Sequence, residues 1–228
     1  MSQTIVTRSL QLVPVLELDP GMFAVEKREM PNLPWREDPE GWDRYWRASL
    51  ADAGITELHP FPSGSWCVPV ASIVGEELIL KIDRVLNPPD SDGKAYAMDV
   101  SGLGGGYALF IHGEARVLPS CCGSLANIHD WRAAAQHRGA DWLEVWTGHP
   151  SISVRYDGGR LRFSEVIDPP RHPTSIASEE RAPRPEIVPS DLTVDPDELA
   201  RAVELADPEL RALDERWQWA TGPRPEHC

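Results

Sequence analysis

Cysteine is scarce here: four in 228 residues, too few for a chain of this length to rest on a disulfide scaffold. The spacings that let one turn or helix present two metal ligands, C-x-x-C and H-x-x-x-H, are both missing. No zinc site is therefore expected from Cys67, His112, Cys121, Cys122, His129 or His149. Also missing is any apolar run long enough to cross a bilayer, and the N-terminus MSQTIVTRSL lacks the apolar core of a signal peptide. These absences place the protein, as an expectation, in a reducing cytoplasm with free thiols. Positive charge is short as well. With 22 basic against 36 acidic residues the net charge is −14, which disfavours nucleic acid and anionic membranes and favours a basic protein partner. No nucleophile elbow, zincin helix, kinase signature or solenoid-period repeat is found, and no cofactor is expected.

What is present makes a globular chain. Apolar residues are 41% of the total, enough for a real core at this length. The pattern predicts an α+β fold, mostly antiparallel sheet packed by a few helices. It divides into a globular part at 1–168, a Pro-rich linker or arm at 169–190 and an acidic helical extension at 191–228. Ile5 to Leu18 is β-rich but broken by Pro14, which predicts an edge strand or two short ones. Asp19-Pro20-Gly21 reads as a turn, Met22 to Glu26 as a strand, and Met30 to Pro39 as a proline-punctuated loop holding Trp35. Glu40 to Ala53 is the clearest helix. Trp42, Tyr45, Trp46, Ser49 and Leu50 recur at its apolar spacing, and Gly54 ends it.

Beyond Trp66 the alternation of Leu78, Leu80 and Ile82 predicts a central strand covered on both faces. Asn87 to Gly93 reads as a turn, and Tyr96, Met98 and Val100 as a further strand. Gly102-Leu103-Gly104-Gly105-Gly106 partly matches a phosphate-cradling loop, but an apolar strand-like run follows it rather than a helix. A flexible hairpin loop is the expectation. Near the C-terminus, Asp195-Pro196 and Asp207-Pro208 each signal a helix start. Leu199, Val203 and Leu205 would form the first apolar side, and Leu210, Leu213 and Trp217 the second. Between Asp191 and Glu215 nine acidic residues face two arginines, the most acidic part of the chain. It packs back through Leu213 and Trp217 or reaches a partner.

The organising stretch is Leu118 to Tyr156, which holds two of the four cysteines and three of the nine tryptophans. Ser124 or Asn127 offers a helix cap, Ile128, Trp131 and Ala135 share one face, and Gly139 suits a left-handed closing residue. Trp142 to Trp146 then alternates as a strand, and Gly148-His149-Pro150 breaks it. Ile152, Val154 and Tyr156 resume the alternation before the hairpin signal Asp157-Gly158-Gly159, with Leu161 and Phe163 on the returning strand.

Reactive chemistry centres on Cys121 and Cys122, with His129 or His149 as base. The helix start beside them would acidify a thiol, while the plain reading is small apolar packing. Glu144 and Glu165 could form a carboxylate pair on facing strands, against the plain reading of solvated strand faces.

LPSCCGSL from Leu118, with Trp131 and then Trp146-Thr147-Gly148-His149-Pro150, resembles bacterial immunity-type proteins of the SMI1/KNR4 (SUKH-like) kind over about a fifth of the chain. The resemblance implies a cytoplasmic α+β protein that neutralises a cognate toxin by direct docking, and it supplies no catalytic residues. The first expectation is thus a non-enzymatic binding protein whose contacts include Trp35, Asp130, Glu144, His149, Asp191, Asp195, Asp197 and Glu198. A cysteine-dependent enzyme using Cys121 or Cys122 and a scaffold subunit docking through its C-terminal helices are the alternatives.

Overall fold

The computed structural model describes residues 9–88, 99–165 and 187–222. Ile5, residues 89–93 of the expected turn, Tyr96, Met98 and most of the Pro-rich linker lie outside these residues. The fold is α+β, built on two antiparallel four-stranded sheets. The first has the order β2-β1-β3-β4, from β1 (Leu10–Glu17), β2 (Cys67–Pro69), β3 (Gly105–Ile111) and β4 (Glu114–Val117). The second runs β5 (Leu143–Val145), β6 (Ile152–Asp157), β7 (Arg160–Ser164) and β8 (Pro189–Val194), each beside the next.

Pro14 does not put β1 at an edge. Seven residues of β1 pair with β3, from Leu10–Ile111 to Leu16–Gly105, while the ladder with β2 starts at Val15. Pro14 thus lies outside the β2 ladder, at a place where an interior strand tolerates a missing donor. Two tight hairpin loops place both central residues at positive φ, as type I′ turns require: His112 and Gly113 between β3 and β4, Gly158 and Gly159 between β6 and β7.

Among the described residues five helices dress the sheets. The expected strand from Met22 is instead one helical turn, α1 (Pro20–Phe23), capped by Asp19, whose carboxylate accepts from Gly21 N at 2.8 Å. The clearest predicted helix is α2 (Pro39–Asp52), capped by Asp38 and closed by Gly54 at φ 74°. Its Trp46 is fully buried and donates to the Leu18 carbonyl at 2.9 Å, which satisfies the indole N–H. Leu78, Leu80 and Ile82 belong to a helix, α3 (Glu76–Leu86), not to a strand. Leu78, Ile79 and Ile82 are its buried face, at i, i+1 and i+4; the period-two pattern was a short window on a helical stripe. Val100 lies in a 3-10 turn.

Ser124 and Asn127 form a reciprocal cap around a 3-10 turn that leads into α4 (Ile128–Gln136), with Ile128, Trp131 and Ala135 buried as expected. Gly139 does not close this helix. His137 stands at its C-cap, and Gly139 is absent from the positive-φ glycines.

The C-terminal segment carries one helix, not two. α5 (Pro196–Thr221) runs through Pro208 without a break. Proline there frees the Glu204 carbonyl, but Glu204 and Pro208 are both exposed, so water satisfies it. Leu199, Ala206, Leu213 and Ala220 recur every seven residues and Val203 and Trp217 lie fourteen apart, so one buried stripe continues across the proline. This segment packs back on the domain: β8 completes the second sheet, and α5 lies against β1, α3 and α4. A single core then includes Leu10, Leu12 and Trp46 from the first half, Trp131, Val154 and Phe163 from the second, and Trp217 from α5. A smaller apolar cluster, Val15, Cys67, Ala108 and Phe110, occupies the opposite face of the first sheet, where Phe61 stacks on Phe110 at 4.6 Å.

Candidate docking groove and thiol cluster

Helical geometry sends Trp219 away from the buried stripe of α5, since two residues after Trp217 is about 200° of rotation. Trp217 is fully buried whereas Trp219 is 71% exposed. Between α5 and the start of α3 lies a groove of about 450 Å³ lined by Gly75, Glu76, Ile79, Glu215, Arg216 and Trp219. Val74, just before it, is also exposed. Among the described residues Glu215 has no ion-pair partner, and the guanidinium of Arg216 is turned inward, donating to the Val70 carbonyl at 3.4 Å. The groove therefore offers an aromatic wall, an aliphatic floor at Ile79 and carboxylates at its rim. The larger concavity of about 820 Å³ is made by one loop's own residues, Lys27 to Asn32, and its Arg28 is already spent on Asp52.

Beneath this surface, Asp83 on α3 faces α5. Burial raises its carboxyl above the usual range, against a smaller lowering effect from the neighbouring side chains of Asn87 and Trp217.

A second group of residues meets within the stretch from Leu118 to Tyr156. Cys121 and His149 form an isolated antiparallel bridge, with His149 N donating to the Cys121 carbonyl at 2.8 Å. The thiols of Cys121 and Cys122 and a ring nitrogen of His149 all lie within 4.8 Å of one another, and all three residues are exposed. The Cys121 thiol donates to the backbone carbonyl of His149 at 3.3 Å. No hydrogen bond between the imidazole and either thiol is found among the described residues, so the nucleophile and base of a cysteine enzyme are not engaged. His129 instead bonds the Ala126 carbonyl through Nδ1 at 2.6 Å.

Most of the expected contact residues already have partners within the chain, and three of them, Asp195, Asp197 and Glu198, share the start of α5. Trp35 is half-buried in its loop, with the Arg36 guanidinium 4.9 Å from its ring centroid. Asp130 lies 3.5 Å from His129, and Glu144 accepts from Ser151 at 2.5 Å. Asp191 pairs with Arg116 at 3.0 Å. Asp195 is the cap of α5 and accepts from Asp197 N and Glu198 N, so its carboxylate is spent on the helix start. Asp197 is 3.9 Å from Arg138, and Glu198 accepts from Ser9 at 3.3 Å. Glu144 and Glu165 do not face each other across neighbouring strands, because β6 separates β5 from the end of β7.

Trp219 and the α3 side of the groove were not singled out by the sequence reading. The signal for Trp219 was available, as a large aromatic off the apolar stripe of a helix whose stripe is otherwise complete. No protein-family profile, curated protein or solved structure matches this chain. No helix among the described residues is long and apolar enough to cross a membrane.

Proposed function

We propose that this chain is a non-enzymatic binding protein that docks a basic protein partner, and that the partner is a toxin domain it neutralises. The observation that carries the docking reading is Trp219, an exposed indole at the lip of an apolar groove whose rim holds Glu76 and Glu215. Tryptophan anchors account for a large share of the energy in protein interfaces, and surrounding carboxylates select a partner that brings lysine or arginine alongside an apolar side chain. The net charge of −14 extends that selection over the whole surface and speeds encounter with a cationic partner. The toxin as partner, and a cytoplasmic setting, are supported by the resemblance of the stretch from Leu118 to Pro150 to immunity-type proteins.

The test is co-expression with the C-terminal domain of a secreted protein encoded beside this chain's gene, followed by binding of the purified pair. The wild-type chain rescues growth and binds with an association rate that falls as salt rises. Trp219→Ala weakens binding by at least about tenfold and Glu215→Lys slows association. Equal binding by wild type and both variants removes the groove from the account, and failure to bind or rescue removes the immunity reading.

A further inference from the structure

The thiol cluster is built by two loops that the backbone clamps together. Ser120 N donates to the Thr147 carbonyl at 2.7 Å, and the Ser120 hydroxyl reaches the Pro150 carbonyl at 3.2 Å. Gly148, at φ 111°, sits so close to this crossing that a Cβ would lie 2.3 Å from the Ser120 carbonyl oxygen. Gly123 is held as tightly, 2.5 Å from the Gly105 carbonyl by the same measure. Adjacent residues of an extended chain point to opposite sides, but Cys122 has φ 66° and breaks that alternation. Its thiol and that of Cys121 consequently converge on the side where His149 arrives. The Trp146 ring meets the imidazole edge-on at 4.6 Å, and its indole N–H donates to the Cys122 carbonyl at 3.3 Å. One tryptophan thus braces both halves of the cluster.

We infer that Cys121, Cys122 and His149 form a three-donor site for a thiophilic cation of the zinc class, with a fourth position open to water. Two sulfurs and one imidazole nitrogen are the donor set that zinc and cuprous ions favour over the oxygen-seeking magnesium and calcium. Tetrahedral zinc with bonds of about 2.3 Å to sulfur and about 2.0 Å to nitrogen places its donors roughly 3.5 to 3.8 Å apart. The spread of up to 4.8 Å closes to that by small side-chain rotations, which exposed residues make freely. Binding exchanges the two thiol protons for the cation: Zn²⁺ and two S–H groups give a zinc dithiolate and two H⁺, so affinity rises with pH. Spacing rules look for ligands presented by one turn, and they pass over a set completed by a residue from another loop.

The experiment titrates the reduced, chelator-treated full chain with Co²⁺ in the absence of oxygen, then adds Zn²⁺ or Cu⁺ in competition. Thiolate-to-cobalt absorption bands should saturate at one equivalent and vanish when either d¹⁰ ion is added; which ion wins at lower concentration assigns it. Cys121→Ser, Cys122→Ser and His149→Ala should each weaken binding by at least about tenfold, while His129→Ala and Cys228→Ser leave it unchanged. Far-ultraviolet circular dichroism of each variant checks that the substitution leaves the fold intact. Absence of a thiolate band, retention of the bands in the folded cysteine variants, or their loss in Cys228→Ser overturns the site.

Discussion

A methyl group placed at Gly105 would sit 2.2 Å from the carbonyl oxygen of Val15. The glycine opens β3 at φ 137°, directly against the interior strand β1, so this end of the glycine cluster is a place of close strand approach and not part of a flexible loop. Gly105→Ala must either strain the backbone or push β1 away, and each is costly. We expect a loss of about 2 kcal/mol or more, read as a lower denaturation midpoint in urea at unchanged slope. A variant as stable as wild type would show that β1 and β3 do not meet at this point.

Where one residue type carried one meaning, the sequence was readable. The aromatic face of α2, the capped start of α4, the Asp157-Gly158-Gly159 hairpin and the Asp195-Pro196 helix start all appear as expected. Failures came where a signal admitted two outcomes decided by distant partners. Leu78 to Ile82 fits period two over five residues and a helix over eleven, and packing against α5 selects the helix. Pro208 can start a helix or ride in one; continuity of the buried stripe from Ala206 to Leu213 selects the second. The site features were harder still, because Ile79 meets Trp219, and Cys121 meets His149, only after the chain has folded.

Trp217 and Trp219 stand two residues apart with opposite duties. Trp217→Ala empties a fully buried site between α5 and α3 and should cost about 3–5 kcal/mol. Trp219→Ala should change stability by no more than about 0.5 kcal/mol and be felt only in partner binding. Thermal or urea denaturation of the two variants checks the contrast. Similar losses in both would mean that Trp219 is covered.

Deleting residues 187–222 should not leave a folded remainder. The cut removes the edge strand β8 and a helix that supplies Leu199, Val203, Leu213 and Trp217 to the shared core. Exposed apolar surface of that size cannot be solvated cheaply, so the truncated chain should lose cooperative unfolding and bind a hydrophobic dye. A cooperative, dye-free remainder would mean that β8 and α5 are dispensable to the core.

The cysteines should divide sharply in thiol labelling. Burial pushes the Cys67 thiol up to about 12, with the charge of Glu17 adding to the effect, and the residue is covered by the smaller apolar cluster. Cys121 and Cys122 are exposed. At mildly alkaline pH they should react freely while Cys67 reacts only after unfolding, which peptide mapping by mass spectrometry resolves. Early modification of Cys67 would contradict the packing of β2 against β1.

Two carboxylates should make opposite contributions to the acid limb of stability. Asp52 accepts two hydrogen bonds from Arg28, at 2.5 and 2.8 Å, and one from Val25 N at 2.9 Å. The Arg28 bonds first, then the backbone bond, hold its pKa at about 2, below the ordinary 3.8. Its stabilisation is complete above 3.8 and drains away as the pH falls towards 2, because the unfolded chain takes up the proton first. Glu17 is the reverse case: burial, and then the charge of Asp19, raise it above its ordinary 4.5. Ionising it costs the folded state more than the unfolded one, so its penalty is absent below 4.5 and complete above its raised value. Asp52→Asn should accordingly lower stability at neutral pH and reduce the loss on acidification. Glu17→Gln should raise stability at neutral pH and steepen that loss. Urea midpoints of wild type and both variants at closely spaced pH values decide it; shifts of the same sign in the two variants would refute the opposed roles.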